Sequence, residues 1–359
     1  MLGGMSSANR LPEDLRLAWR IAKAGSLSRL KLVEEPLAAP ADGEVQVEVD
    51  AIGVNFADVF ACLGLYSATP AGSFVPGLEC AGRIRKLGRG VSGWREGDAV
   101  IVLTRFGGYT TRLNVDARTL WPIPAGWSFA EAAAYPVQAL TAWYGLLPLG
   151  NARAGSVVLV QSAAGGVGLN ALHALQRINA RPVALVGNAE KRQWLIEKFA
   201  LHPATVVARS STLGADLDAA LAHLQCRGFD VVLDAVYGDG FRTAFNRLAP
   251  EGRYVLYGAA DFMDRGQRPN FLKLAWHYLR RPRLDPLAMI PLNRGLLAFN
   301  LIWLWEQAAR LPDSMRATLE LIPERPHVGG RFDFTEAHAA LSAIQSGKTT
   351  GKLILHCDH

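Results

Sequence analysis

Residues 156–178 read SVVLVQSAAGGVGLNALHALQRI: an apolar run, a glycine loop and a segment of helical periodicity in direct succession. The run SVVLVQSA (156–163) is short and rich in β-branched residues, which marks a buried strand. In the loop Ser162-Ala163-Ala164-Gly165-Gly166-Val167-Gly168, Gly165 and Gly166 remove the side chains that would hold a phosphate away from the backbone N–H groups. Gly168 lets the following helix close on the strand, and the helix N-terminus adds partial positive charge. The pattern is A-x-G-x-x-G, with Ala163 where the dinucleotide fingerprint usually carries its first glycine. Ala164, Gly165, Gly166, Val167 and Gly168 are the expected pyrophosphate site.

The alternation continues downstream. PVALVG (182–187), TVVA (205–208), VVLDAV (231–236) and GRYVLYG (252–258) read as strands, separated by the helical stretches AEKRQWLIEKFA, ADLDAALAHLQ and GFRTAFNRLA. Buried strands between helices specify an α/β fold with a doubly wound parallel sheet. The end of the second strand reads the ribose. It is Val186-Gly187-Asn188, with no carboxylate to grip a 2′-hydroxyl, and Lys191 and Arg192 follow. Gly187 leaves room for a 2′-phosphate and the cations attract it, with Arg209 after the third strand as a further cation. NADPH is the expected cofactor.

Upstream, VQVEVDAIGV (45–54) alternates as a half-buried strand does, and glycines are dense up to Pro124, as in a small β-barrel. Ser128 and Glu131 form a capping box at the head of SFAEAAAYPVQALTAWYGL. The bulk numbers agree with two domains: 359 residues, half of them hydrophobic, with a formal charge of +6. That modest charge would suit a nucleic-acid binder or an anionic cofactor, and a nucleic-acid partner is not expected. Cys62, Cys80, Cys226 and Cys357 are scattered without C-x-x-C spacing, as expected for free thiols in the reducing cytoplasm. MLGGMSSANRLPEDLR has no apolar core and argues against a secretory signal, and residues 1–14 read as a loose extension. Residues 284–305 are apolar but interrupted by Asp285, Pro286, Pro291, Asn293 and Arg294, short of a membrane span. KLAWHYLRRPR (273–283) is basic and aromatic, which fits either a partly buried helix or peripheral contact with a membrane.

The β-rich half carries Pro76-Gly77-x-Glu79-x-x-Gly82-x-Ile84, Leu87-Gly88-x-x-Val91 and Gly97-Asp98-x-Val100. With these motifs, residues 15–357 resemble the medium-chain dehydrogenase/reductase superfamily, which joins a GroES-like β-barrel domain to a Rossmann domain. The chain is most similar to the zinc-free quinone oxidoreductases of that superfamily, and residues 258–301 resemble the synaptic-vesicle membrane protein (vesicle amine transport) branch. The expected domains are 1–138 with 305–359, GroES-like and catalytic, and 139–304, which binds NADPH. A catalytic zinc needs three protein ligands, and the places that supply Cys and His in zinc-bearing relatives hold Leu78 and Val54–Asp58; no metal is expected.

The resemblance implies that Asn55 lies beside the nicotinamide as a catalytic residue and that Tyr66 stands over the substrate. It implies cofactor contacts for Asn55, Thr141, Ala235, Val236, Tyr257, Gly258, Phe299, Asn300 and Lys352. Each also has a plain structural role open to it, as a turn, core or packing residue. The expected reaction is hydride transfer to a quinone or enone. Reduction of an enoyl thioester is the alternative, weakened because Phe56 stands where such reductases carry a proton-donating Tyr. A nucleotide-binding protein that chiefly associates with membrane or RNA is a third reading. The resemblance further implies a homodimer, with the sheets pairing at an exposed edge near Arg253–Tyr257.

Overall fold

In the computed structural model, which describes residues 12–262 and 266–357, the run that opens the glycine loop is the strand Val157–Gln161. Most of the extension expected over residues 1–14 lies outside the described residues. Two compact units divide the chain: Met1–Val137, Arg265–Pro269 and Val328–His359 form the first, Gln138–Asp264 and Asn270–His327 the second. Residues 305–327, expected with the first domain, pack in the second. Leu311 and Met315 are buried there, and Arg177 pairs with Glu324 at 2.8 Å. Conversely, the carbonyl of Gln267 accepts from Leu27 N and Ser26 Oγ, so this short stretch stays with the first unit.

The second unit is built on a six-stranded sheet in the order Val206–Ala208, Arg181–Val186, Val157–Gln161, Phe229–Asp234, Leu248–Leu256, Gly295–Ala298. All its pairings are parallel. Val158, Leu159, Val160, Val232 and Leu233 are fully buried, as a strand covered on both faces by helices must be. The helices Gly166–Arg177, Ala189–Phe199, Leu213–His223 and Gly240–Phe245 match the helical stretches of the sequence. The strand Gly295–Ala298 was not foreseen, because four residues are too few to show a period. It corrects one expectation: Arg253–Leu256 pairs with Gly295–Ala298 and is not an exposed edge.

The first unit holds a seven-stranded mixed sheet, ordered Val328–Asp333, Lys352–His356, Glu44–Val54, Glu79–Leu87, Ala99–Leu103, Leu120–Pro122, with Arg112–Asp116 paired to Glu44–Val54. A separate antiparallel pair joins Leu15–Ile21 to Leu30–Pro36. The capping box forms as read: Ser128 N donates to Glu131 Oε2 at 2.7 Å and Glu131 N to Ser128 Oγ at 3.3 Å. The helix it starts is only Phe129–Ala133. Pro136 disfavours helical geometry in the residue before it, and a second helix, Pro136–Tyr144, begins there.

Gly82 explains one fixed point of the motif in this sheet. It lies opposite Val49, and a Cβ there would fall 1.9 Å from the Glu48 carbonyl oxygen, a backbone atom that cannot swing away. Gly82→Ala is therefore expected to destabilise the protein by about 3 kcal/mol or more, read from urea unfolding. Gly90→Ala, at a positive φ but with open space around it, should cost only about 1 kcal/mol.

Candidate functional site

The residues singled out in the second unit share one geometric property. In a parallel sheet every carboxyl end lies on the same side, and ligands of such sheets bind there. Ser162 follows Val157–Gln161, Gly187 follows Arg181–Val186, and Arg209 follows Val206–Ala208. Ala235 and Val236 follow Phe229–Asp234, Tyr257 and Gly258 follow Leu248–Leu256, and Phe299 and Asn300 follow Gly295–Ala298. Thr141 is buried on the helix Pro136–Tyr144.

The glycine loop is built for close approach. Ser162 takes a left-handed φ of 53° and its carbonyl accepts from Gly165 N at 2.8 Å, which turns the chain sharply. Gly165 is the N-cap and the helix begins at Gly166. A Cβ on Gly168 would strike the backbone of Ala163 at 2.5 Å, and one on Gly166 would fall on the side chain of Gln138. Gly165 differs: a Cβ there would meet only the Ser162 carbonyl, at 3.2 Å. The first bond within the helix is donated by Leu169 to the Gly165 carbonyl, so the N–H groups of Gly166, Val167 and Gly168 precede it. A tight turn, a half-open Gly165 and N–H groups ahead of the helix fit a pyrophosphate.

The ribose end is split in use. A Cβ on Gly187 would meet nothing within 4 Å, and Asn188 spends its side chain as a cap, Oδ1 accepting from Lys191 N at 2.8 Å. Partial burial holds the Lys191 ammonium below its ordinary range, with Glu190 opposing the shift. Arg192 is partly engaged elsewhere. Its guanidinium donates to the carbonyls of Val206 at 2.7 Å and Pro203 at 2.6 Å, tying helix to sheet. Arg209 donates to Gln161 Oε1 at 3.1 Å. Beneath it Gln161 Nε2 donates to Tyr254 Oη, and Tyr254 Oη to Asp234 Oδ2 at 2.6 Å. Asp234 Oδ1 accepts from Val236 N at 2.7 Å, fixing the loop that carries Ala235 and Val236. Sequence reasoning missed this buried network, for which no motif exists. Tyr144, Phe299 and Tyr257 form an aromatic group, with centroids 5.1 and 6.1 Å apart. Asn300 caps the following helix, accepting from Ile302 N at 3.4 Å.

In the first unit Asn55 and Lys352 meet. Lys352 Nζ donates to Asn55 Oδ1 at 2.6 Å and also to Glu79 Oε1, and Asn55 Nδ2 donates to Glu79 Oε1 at 2.8 Å and to the Gly53 carbonyl at 3.3 Å. Glu79 Oε2 accepts from Val137 N at 2.8 Å. All three side chains are buried, so the ammonium and carboxylate answer each other where water cannot. The amide of Asn55 is thus committed to its neighbours, a consequence its place in the sequence did not reveal. In the sequence Glu79 is visible only as the acid of the P-G-x-E motif. Tyr66 is half-buried in the loop after the helix Phe56–Leu63, and its carbonyl accepts from Thr69. Among the described residues no group of three or more His, Cys, Asp or Glu could hold a metal ion. Cys62, Cys80, Cys226 and Cys357 are free thiols.

With this geometry in hand, known proteins supply a class. Residues 41–140 match the alcohol dehydrogenase GroES-like domain and residues 205–355 the zinc-binding dehydrogenase family. The synaptic vesicle membrane protein VAT-1 homolog of Danio rerio is 30% identical over 356 residues, covering 97% of this chain and 72% of its own. The quinone oxidoreductase of Thermus thermophilus, whose structure is also known in complex with NADPH, is 30% identical with a TM-score of 0.76, covering 95% of this chain and 99% of its own. The human VAT-1 homolog-like protein superposes with a TM-score of 0.80 at 25% identity, covering 97% and 99%. The chain belongs to the medium-chain dehydrogenase/reductase superfamily and is a quinone-oxidoreductase-like enzyme with GroES-like and Rossmann domains.

Asp58 offers a test of the buried cluster. Its Oδ2 accepts from Asn55 N at 2.8 Å and Tyr109 Oη at 3.0 Å, while its buried Oδ1 has no partner. Burial pushes this carboxyl up to about 7, against the pull of Asn55 N–H, Lys352 and Tyr109. The folded protein then keeps a proton that the unfolded chain has already lost above the ordinary carboxylate range. Stability from this site therefore falls as pH rises from about 4 to about 7. Urea unfolding at about pH 5 and about pH 8 should show wild type losing stability relative to Asp58→Asn, by at most roughly 3 kcal/mol.

Proposed function

We propose that this enzyme is an NADPH-dependent, zinc-independent reductase of quinones or other conjugated carbonyls. The observation that carries the reading is the gathering of the sequence-derived cofactor residues at the carboxyl ends of one parallel sheet. NADPH, when bound, supplies a hydride at its nicotinamide. The N–H groups of Gly166, Val167 and Gly168 would face its pyrophosphate, and Gly187 with Lys191 would admit the 2′-phosphate. Arg209 would add charge from the third strand. Arg192 would add to this from its remaining donors, since two of its five N–H groups are bonded to carbonyls. Thr141, Ala235, Val236, Tyr257, Gly258, Phe299 and Asn300 would hold the nicotinamide end.

On the substrate side, Asn55 and Lys352 would act as a fixed floor braced by Glu79, and the Tyr66 phenol would polarise the acceptor oxygen. Orientation would supply most of the rate, since it turns a two-body encounter into a local step. Phe56 is 38% exposed at the first turn of its helix and has no proton to give, which favours acceptors whose reduced form takes its proton from water. A homodimer is part of the proposal, with Gly295–Ala298 as the outermost strand of the sheet. Titration should show NADPH binding at least about tenfold tighter than NADH, a gap that Lys191→Ala narrows about tenfold, and NADPH oxidation by small quinones. Failure to bind either nucleotide overturns the proposal.

One observation favours a second role, peripheral association with an anionic membrane surface. The helix Phe271–Arg280 has no buried residue, and Leu272, Trp276 and Leu279 are all more than half exposed. Arg280 lies 3.9 Å over the Trp276 ring and Arg281 3.6 Å over that of Tyr278. Residues 266–284 contain five Lys and Arg and no Asp or Glu. Such a face would sink its rings among acyl chains and lift its guanidinium groups to the phosphates. No helix among the described residues is long and apolar enough to cross a membrane. Cosedimentation with phosphatidylserine vesicles should exceed that with phosphatidylcholine vesicles, fall with salt, and drop about tenfold or more in Leu272→Ser/Trp276→Ser. Equal recovery with both vesicles removes this reading.

A further inference from the structure

In the second unit a line of hydrogen-bonded side chains runs from the surface into the sheet. Arg209 Nη2 donates to Gln161 Oε1 at 3.1 Å, Gln161 Nε2 to Tyr254 Oη at 3.0 Å, and Tyr254 Oη to Asp234 Oδ2 at 2.6 Å. Arg209 is exposed, whereas Gln161, Tyr254 and Asp234 are buried. Chemistry fixes the sense of every bond. A guanidinium has only donors, so the amide oxygen of Gln161 faces Arg209 and its nitrogen faces Tyr254. Burial, with the Asp234 charge beside it, holds the Tyr254 phenol above its ordinary range, so it keeps the proton that it shares with the carboxylate. The amide cannot flip without setting donor against donor.

The register puts this line beside the ribose end of the site. Gln161 pairs with Leu185 and Leu185 with Val207, so all of them share one face of the sheet. Arg209 lies two residues beyond Val207 and Gly187 two beyond Leu185, and the alternation carries both to that face. The strand Arg181–Val186 runs between the strands that end at Arg209 and Gln161. To reach Gln161, the Arg209 side chain therefore crosses the end of that strand, where Gly187 leaves open space. Arg209 N donates to the Val186 carbonyl at 2.8 Å, which fixes where the crossing starts. Gln161 uses one of the five N–H groups of the guanidinium, and the others remain to face a ligand.

We propose that Gln161 is a positioning residue for cofactor choice: its amide oxygen holds the Arg209 guanidinium across the end of the second strand, aimed at the 2′-phosphate of the nucleotide. The inference rests on the NADPH reading above and names the part of the fold that enforces it. An unheld arginine loses rotamer freedom when it meets a phosphate, and one already held by an amide loses less. The holder has to be neutral. An acid at position 161 would also fix the guanidinium, but it would cancel the charge that attracts the phosphate. Gln161 and Tyr254 also stand between Arg209 and Asp234, whose carboxylate is kept for the N–H groups of Val236 and Tyr237.

The test is calorimetric titration of the full-length protein with NADPH and with NADH, read as the ratio of the two dissociation constants. Gln161→Met keeps the length of the side chain without its amide, and should narrow the wild-type ratio about threefold or more, the loss falling on NADPH. Gln161→Glu should narrow it about fivefold or more, because a carboxylate neutralises Arg209. Arg209→Ala should also narrow it about fivefold or more. In that background Gln161→Met should change the ratio less than about twofold, since a residue that acts through Arg209 then has nothing to act on. Tyr254→Phe releases the amide from its other end and supplies a second variant should Gln161→Met not fold; it should narrow the ratio in the same way. Adenosine 2′,5′-bisphosphate against adenosine 5′-monophosphate should repeat the pattern without a nicotinamide. A wild type that binds NADPH and NADH equally overturns the NADPH reading and this inference with it. A wild type that prefers NADPH, with that preference intact in the Gln161 variants or narrowed by Gln161→Met equally with and without Arg209, overturns the inference alone.

Discussion

The close approach of the helix Gly166–Arg177 to the end of the strand Val157–Gln161 is the contact on which the second unit depends. With Gly168 against the backbone of Ala163 and Gly166 under the side chain of Gln138, the helix can leave the strand only along one path. That path carries the helix N-terminus to the carboxyl edge of the sheet. The neighbouring strands are parallel to this one, so their following residues reach the same edge. A side chain at either glycine would have to displace backbone or a packed amide, which is why two of the three glycines serve packing before any ligand arrives.

The first unit rests on a different device. Lys352, Glu79 and Asn55 form a closed set of donors and acceptors in a region without solvent, and Glu79 extends it to the first turn of the helix Pro136–Tyr144. Gly53 allows it: a Cβ there would lie 2.6 Å from Glu79 Oε1 and 2.4 Å from the Ala133 carbonyl. Burying a charged pair costs solvation and is sustained only when the remaining donors and acceptors are also satisfied. The arrangement engages the Asn55 amide on both sides, its oxygen accepting from Lys352 and its nitrogen donating to Glu79. A residue's chemistry is set by what its neighbours leave it to do.

Arg192 teaches the same lesson at the opposite end of the molecule's chemistry. Its place after the second strand recommends it as a phosphate ligand, while two of its five N–H groups are bonded to the carbonyls of Val206 and Pro203. Gly187 beside it keeps its expected character, open space with nothing for a side chain to meet. The two differ because an absent side chain is fixed by the residue type, whereas the direction of a long flexible one is fixed by whatever acceptor lies within reach.

By itself the sequence determined the parallel sheet, the glycine loop and the capping box at Ser128, since each is written in a period or spacing of neighbouring residues. It also carried the motifs by which the superfamily is recognised. Tertiary structure alone decided that Gly295–Ala298 covers Arg253–Leu256, that residues 305–327 belong with the second unit, and that Glu79, Asp58, Tyr109 and Lys352 share one buried cluster. Local patterns record the geometry of a few consecutive residues. The partner of a buried charge, or the strand that covers an edge, comes from a distant part of the chain and leaves no mark in the residues beside it.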